Sequence, residues 1–146
     1  MTLTDSATAL EEIRTLQARY WRLMDTKQWS ALEDLFAPDA RMSFPGDRGG
    51  EAAGARACVD FIRERVGTAR TVHHGHMPEI TFESSAEASG VWAMEDIVEW
   101  PEGEPFRGMA KIHGWGHYHN RYVRTDDGWR IALTRVTRLR LEETTA

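Results

Sequence analysis

The spacing of apolar residues changes near residue 70, and this change limits the folds that the chain can adopt. From Thr71 onward, apolar and polar residues alternate with the period of a half-buried β-strand. The pattern predicts four strands, near residues 70–83, 87–100, 107–124 and 128–141, separated by the turn-like sequences SSAE, PEGEP and RTDDG. The second half of the chain is therefore expected to form a sheet of long strands.

The first half of the chain has the helical period of about 3.6 residues instead. Capping-box patterns, in which a hydroxyl residue precedes a glutamate by three positions, predict a first helix at Thr8 and a short second helix at Ser30. The second helix is expected to end before Pro38. A third apolar helical face begins at Ala55, and Gly67 is the expected end of that helix.

The predicted order of helices and strands defines the fold class. Residues 41–44 alternate like a short strand, and the glycine-rich sequence PGDRGGEAAG that follows is expected to be a loop. Helices followed by a run of strands are typical of an α+β domain, whereas a doubly wound nucleotide fold would alternate strand and helix. We predict one domain, residues 1–146, in which helices cover one face of a curled antiparallel sheet.

Charge and composition argue against several classes of function. The chain has 146 residues, a net charge of −5 and an isoelectric point near 5.7, which argues against nucleic-acid binding. The sequence has neither an apolar run long enough for a bilayer nor a secretory signal pattern, so no membrane association is expected. Cys58 is the only cysteine and cannot form an internal disulfide, so a cytoplasmic location is expected.

Alternation also assigns side chains to the two faces of the sheet. In residues 91–100 the more apolar face carries Trp92, Met94 and Asp96, and we expect it to point inward. A buried carboxylate is costly unless it is paired, hydrogen-bonded or protonated. Asp96 is therefore expected either to bond to an arginine or a sheet-edge amide, or to serve as a polar group that lines a pocket.

The next strand contains glycines on the same side as Tyr118, which leave room for a ligand or a close element. Tyr118 is therefore predicted to point inward. Trp115 would then share the outer face with three histidines, His113, His117 and His119. A face this aromatic is expected to form a subunit interface, in a homodimer or a homotrimer.

The six histidines fall in two groups, within TVHHGHMPEI and HGWGHYHN. His74 and His76 lie on one side of a strand, as do His117 and His119, and such pairs suit a zinc, iron or manganese site. The alternative is an acid–base site, which needs one imidazole, a carboxylate and an apolar pocket. Asp25 is the candidate carboxylate, because a negative charge at a helix C-terminus needs another group to stabilise it.

Three stretches, RYWRLMDTKQWSALEDLFAPDA, TVHHGHMPEI and GHYHNRYVRTDDGWRI, resemble the SnoaL-like branch of the nuclear transport factor 2-like superfamily, which includes scytalone dehydratase and hexachlorocyclohexane dehydrochlorinase. The resemblance covers residues 8–141. It implies a cone-shaped half-barrel, in which helices pack into the concave side of a strongly curved mixed or antiparallel sheet around an apolar pocket. It also implies a catalytic pair, Asp25 from the first helix and His73 from the Thr-x-His pattern.

The resemblance implies a chemistry as well as a fold. His73 would remove a proton next to a carbonyl or another activating group, Asp25 would hold its tautomer, and three polar groups, Tyr20, Tyr118 and Asp96, would contact the substrate oxygen. The expected apolar wall consists of Trp21, Met42, Phe44, Trp92 and Met94. We expect a dehydratase or lyase that acts on a small cyclic hydrophobic substrate, polyketide- or steroid-like, without metal or cofactor. An isomerase or polyketide cyclase, and a non-catalytic binding module, are the alternatives.

Overall fold

The computed structural model describes residues 2–46 and 49–146 of the chain, and these residues form three helices and six strands. The helices are α1 (Leu3–Asp25), α2 (Trp29–Glu33) and α3 (Ala55–Val66). The strands are β1 (Phe36–Phe44), β2 (Gly50–Ala53), β3 (Arg70–Phe82), β4 (Glu87–Glu99), β5 (Met109–Thr125) and β6 (Gly128–Thr145). The third helix, its end at Gly67 and the four long strands agree with the prediction to within a few residues.

All six strands belong to one curved sheet with the order β2-β1-β6-β5-β4-β3. The pairs are antiparallel except β1 with β6, which run parallel, so the sheet is mixed. Register shifts in β3 and β5 help the long strands to bend. The helices pack on the concave face, where their apolar side chains share one core with the strands. The predicted α+β class and its cone-shaped half-barrel are confirmed.

Helix α1 begins earlier than the sequence pattern predicts. Its capping box is formed by Thr2 and Asp5, with the Thr2 hydroxyl accepting from the Asp5 main-chain N–H at 3.1 Å. The pattern at Thr8 lies inside the helix, so the predicted start was wrong, because a capping box acts only where the chain enters a helix. Although α1 has 23 residues, no helix in the described part of the chain is both long and apolar enough to cross a membrane.

The region after α1 departs most from the prediction. Helix α2 has only five residues and no side-chain cap, and β1 starts at Phe36, so the predicted strand 41–44 is longer and includes Pro38. The β1–β6 register shifts between Phe36 and Arg41, and such an irregularity accommodates a residue without an N–H. Within the predicted loop, β2 pairs with β1. Asp47 and Arg48 of that loop lie outside the described residues.

Helix α1 packs closely against β3 at Gly75. A Cβ atom placed on Gly75 would lie 2.0 Å from Cζ3 of the Trp21 ring, so only glycine allows this contact. Trp21 is itself 7% exposed and lies one helical turn before Asp25. The contact therefore sets the distance between the end of α1 and the start of β3.

Gly75→Ala is expected to lower the free energy of unfolding by about 1–3 kcal/mol, because the added methyl group forces the helix and the strand apart. Denaturant unfolding followed by tryptophan fluorescence measures this change. In the double variant Gly75→Ala/Trp21→Phe the smaller ring leaves room for the methyl group, so part of the loss should be recovered. Wild-type stability of Gly75→Ala would show that the contact does not constrain α1.

Candidate active site

Asp25 and His73 meet where the end of α1 lies against β3. The His73 Nδ1 and Asp25 Oδ1 atoms are 2.6 Å apart, and the His73 main-chain N–H donates to Asp25 Oδ2 at 2.9 Å. The Thr71 hydroxyl also donates to Oδ1, at 2.8 Å. The His73 side chain is only 6% exposed. Because the carboxylate accepts from Nδ1, the neutral imidazole has its proton there and its basic lone pair on Nε2.

The surroundings of Asp25 favour its ionised form. Burial alone raises the pKa of Asp25, but the hydrogen bond and charge of His73, the His73 main-chain N–H and the Thr71 hydroxyl lower it by more. The resulting pKa is below the ordinary value of 3.8. Asp25 is therefore a carboxylate at neutral pH, able to stabilise a positive charge on His73.

Asp96 is the β4 residue paired with His73 of β3, and it is held by Arg138 of β6. The two side chains form a bidentate contact, with Nη1–Oδ1 at 2.5 Å and Nη2–Oδ2 at 2.8 Å, and Asp96 is 4% exposed. Its Oδ2 atom is 3.9 Å from His73 Nε2, which is too long for a hydrogen bond. Asp96 thus combines both alternatives considered from the sequence, because it pairs with an arginine and also lines the cavity.

Arg138 is the main polar group that the sequence did not indicate. Burial lowers its pKa, but the hydrogen bonds and charge of Asp96 raise it further, so the guanidinium remains charged. One available signal was Gly114, where a Cβ atom would lie 2.3 Å from Arg138 Nη1 and 2.6 Å from Asp96 Oδ1. The glycines of β5 were expected to leave room for a ligand or a close element, and at Gly114 that element is the Asp96–Arg138 pair.

A cavity of about 480 Å³ opens between α3, the concave face of the sheet and the segment before β5. Its volume lies in the range of small-molecule sites. Polar groups of His73, Asp96 and Arg138 are exposed to it, and most of the remaining lining is apolar or aromatic. The apolar lining that the sequence did not single out comprises Met24, Pro45, Phe61, Ile62, Val66, Val98, Trp100, Phe106, Met109, Ile112, Val136 and Leu141.

The other predicted site residues divide into two groups. Tyr20, Tyr118 and Phe44 line the cavity. Trp21, Met42, Trp92 and Met94 are buried in the core and are absent from the cavity lining. Trp92, for example, donates from Nε1 to the Tyr122 hydroxyl at 2.9 Å. These four side chains face inward, as the sequence suggested, but they belong to the core, which lies beside the cavity.

The two cavity tyrosines are protonated at neutral pH. Both are almost fully buried, and burial raises the pKa of each phenol above its ordinary value. Their rings meet edge to face, with centroids 6.0 Å apart. Each phenol is therefore a potential hydrogen-bond donor rather than a base.

The remaining histidines lie apart from the cavity lining. His74 and His76 are exposed on β3. On the outer face of β5, His113 Nε2 is 2.6 Å from Glu95 Oε1, and His119 Nε2 is 2.9 Å from Thr137 Oγ1. Within residues 2–46 and 49–146, no three His, Cys, Asp or Glu side chains converge in a metal-binding arrangement.

Comparisons with known proteins identify the family. A family model described as "SnoaL-like domain" matches residues 5–135. "Probable cyclase FGR4" from Gibberella zeae is 25% identical over 148 residues, which cover 95% of each chain. The crystal structure of a "Putative Scytalone Dehydratase" from Novosphingobium aromaticivorans has a TM-score of 0.84 and 20% identity, over 99% of this chain and 93% of that one.

The hexachlorocyclohexane dehydrochlorinase LinA-type3 from Novosphingobium barchaimii also has a similar crystal structure. Its TM-score is 0.81 and its identity 18%, over 98% of this chain and 94% of that one. At these identities the two structures show the shared fold alone. The family model, in contrast, spans most of the sequence, from α1 into β6. The chain therefore belongs to the SnoaL-like domain family, and its fold is that of the nuclear transport factor 2-like superfamily.

Proposed function

We propose that the protein is a cofactor-independent lyase of the dehydratase type, which uses His73 and Asp25 to remove a proton from a small cyclic hydrophobic substrate. The observation that supports this proposal most directly is the geometry of the pair. His73 presents Nε2 to the cavity, while its Nδ1 is bonded to the ionised Asp25 carboxylate. This is the arrangement that a general base requires.

The proposed reaction begins with a substrate carbonyl bound near Arg138. A guanidinium has five N–H groups, of which Asp96 accepts two, so others are available to an oxygen in the cavity. His73 Nε2 takes the proton from the carbon next to the carbonyl, and the negative charge moves to the carbonyl oxygen. Asp25 stabilises the imidazolium that forms, and Arg138 or a tyrosine hydroxyl stabilises the enolate.

In the second step the enolate re-forms the carbonyl and expels a hydroxyl group from the adjacent carbon. The His73 imidazolium returns its proton to the departing hydroxyl, which leaves as water, and a conjugated double bond remains. Both steps use groups that line the cavity, namely His73, Arg138 and the two tyrosines. The mostly apolar lining suits a cyclic hydrophobic substrate, such as one of polyketide or steroid type.

Two alternatives to the lyase differ in whether they use the same proton removal from the substrate. An isomerase or polyketide cyclase would also form the enolate but would reprotonate it elsewhere or let it attack a second carbonyl. The likeness to a relative named as a cyclase favours this alternative. A non-catalytic binding module would use the cavity without proton transfer.

One experiment separates these possibilities. The protein is incubated in D₂O with a panel of bicyclic β-hydroxyketones, and the products are followed by proton NMR. Formation of the conjugated enone supports the lyase. Deuterium exchange next to the carbonyl without elimination indicates an isomerase or cyclase. Saturable quenching of tryptophan fluorescence without exchange or elimination supports the binding module and contradicts the catalytic proposal.

We further propose that residues 1–146 act as one domain in the cytoplasm. A single main core cluster joins residues from α1 to β6 across the described chain. Cys58 is a buried free thiol, which is common in proteins of reducing compartments. Burial raises the pKa of this thiol to about 11, so it has little nucleophilic character.

The outer face of the sheet is the proposed interface of a homodimer or homotrimer. Trp115 stacks on His113 with ring centroids 4.0 Å apart, and the Arg140 guanidinium lies 5.2 Å from the Trp115 ring. Sedimentation velocity at micromolar concentration is expected to show a dimer or trimer. Trp115→Glu should shift the protein to the monomer with an unchanged circular dichroism spectrum. A compact wild-type monomer would exclude this interface.

A further inference from the structure

Lys27 has a backbone conformation that is unusual for its residue type. It follows the last residues of α1 with φ of 60°, and its main-chain N–H donates to the Met24 carbonyl oxygen at 3.1 Å. Glycine is the preferred residue in this left-handed conformation after a helix, because a Cβ atom strains the backbone there. A lysine at a position that favours glycine indicates that its side chain has a role.

The Lys27 side chain approaches the His73–Asp25 pair from the Asp25 side. Its Nζ donates to the Thr71 hydroxyl oxygen at 3.0 Å and lies 5.8 Å from the centroid of the Trp29 ring. The residue is partly buried, and burial lowers the pKa of its ammonium group while Asp25 raises it. A partly buried charge is screened by water less than an exposed one. The charge of Lys27 therefore has a stronger electrostatic effect on neighbouring groups than the charge of a fully exposed lysine.

Thr71 connects this ammonium group to the carboxylate. The hydroxyl has one proton, and because its oxygen accepts from Lys27, the proton is directed to Asp25 Oδ1 at 2.8 Å. The same Oδ1 atom is 2.6 Å from His73 Nδ1. Three hydrogen bonds in series thus join Lys27 to the imidazole. The cation lies beyond the carboxylate and offsets part of the negative charge that would stabilise an imidazolium.

The groups that face His73 from the cavity do not offset the Asp25 charge in this way. From β4, Asp96 faces Nε2, but the bidentate contact with Arg138 of β6 matches its charge. Tyr20 and Tyr118 are neutral phenols at neutral pH. Asp25 of α1 is thus the carboxylate bonded to the imidazole, and Lys27 is the cation connected to that carboxylate.

We propose that Lys27 is a positioning residue for the His73–Asp25 pair, which acts through Thr71 to orient the carboxylate and to offset part of its negative charge at the imidazole. Its importance for catalysis rests on the proposed function, whereas its effect on the imidazole does not. The chain has two lysines, Lys27 and Lys111, so the second provides a matched control. Lys111 pairs with Glu99 at 2.8 Å, and its side chain is 44% exposed.

The test is an NMR titration of the His73 imidazole without substrate. In Lys27→Met the titration midpoint is expected to rise by about one pH unit, because the offsetting cation is lost. Lys27→Arg, which retains the charge, is expected to stay nearer the wild-type midpoint than Lys27→Met. Lys111→Met should leave the midpoint unchanged. An unchanged midpoint in Lys27→Met would overturn the proposal, whether or not the protein proves to be a lyase.

A further variant separates charge from backbone strain. Lys27→Gly relieves the left-handed strain and removes the ammonium group, so it is expected to unfold at a higher denaturant concentration than Lys27→Met. Its His73 midpoint should nevertheless rise by the same amount as in Lys27→Met. A wild-type midpoint in Lys27→Gly would mean that the backbone, rather than the charge, controls the imidazole. Where activity is found, the acid limb of the pH–rate profile should shift to higher pH in both variants.

Discussion

Asp25→Asn and His73→Ala are each expected to lower kcat/KM for elimination about 10²–10⁴-fold, the range that a positioned general base supplies. His73→Ala removes the base itself. Asp25→Asn preserves the shape of the side chain but removes its charge, and its amide N–H donates to Nδ1. The imidazole proton then moves to Nε2, the atom that must accept the substrate proton. The loss is measured from steady-state rates with the substrate that the NMR experiment in D₂O identifies.

The double variant provides the internal check of this prediction. Because the two residues act as a unit, Asp25→Asn/His73→Ala should be no slower than His73→Ala alone. Phe61→Leu is the control, since Phe61 lines the cavity and stacks on Phe44. It should raise KM with a smaller change in kcat. Retained activity in Asp25→Asn and His73→Ala, together with weakened binding in Phe61→Leu, would indicate a binding module instead.

Arg138→Met is expected to lower the free energy of unfolding by about 3–5 kcal/mol, because it leaves the carboxylate of Asp96 buried without its partner. The same change should abolish elimination, since the cation next to the proposed enolate oxygen is lost. Urea unfolding and steady-state kinetics measure the two effects separately. Arg14→Met is the control, because the Arg14–Glu11 pair of α1 is largely exposed and contributes little.

Stability and activity can be separated with a second substitution. In Asp96→Leu/Arg138→Met both charges are replaced by apolar groups of similar volume, so most of the stability should return. Activity should not return, because the stabilising cation remains absent. A double variant as active as the wild type would show that the Asp96–Arg138 pair has only a structural role. A loss of stability below about 1 kcal/mol in Arg138→Met would contradict the buried pair.

The sequence predicted those elements that are determined by local periodicity. The long strands and α3 have clear alternation or a clear apolar face, so their positions agree with the structure. The early boundaries were harder, because Phe36 and Pro38 belong to a strand that pairs with β6 rather than with a sequence neighbour. Local sequence propensity cannot indicate pairing with β6, which lies so much later in the chain.

The candidate site was likewise predicted in part, and the missing part depends on contacts between distant segments. The resemblance of the Asp25 and His73 motifs predicted that these two residues would meet, and the structure places them in contact. Arg138 was missed because a register shift lies between it and Arg140, opposite Gly116 and Trp115, in a stretch where arginines alternate with apolar residues. The apolar cavity wall was missed because it forms only when α3 and the segment before β5 converge across a curved sheet.

The parallel pairing of β1 with β6 affects the order in which the site can be completed. During synthesis, Asp25 and His73 leave the ribosome long before Leu133, the β6 partner of Arg41 in β1. Arg138 follows later still, so the carboxylate of Asp96 lacks its partner until almost the whole chain is available. Burial of that charge, and with it the closure of the concave face, is therefore coupled to synthesis of the last strand. A nascent chain that stalled before β6 would have the base but not the cation of the proposed active site.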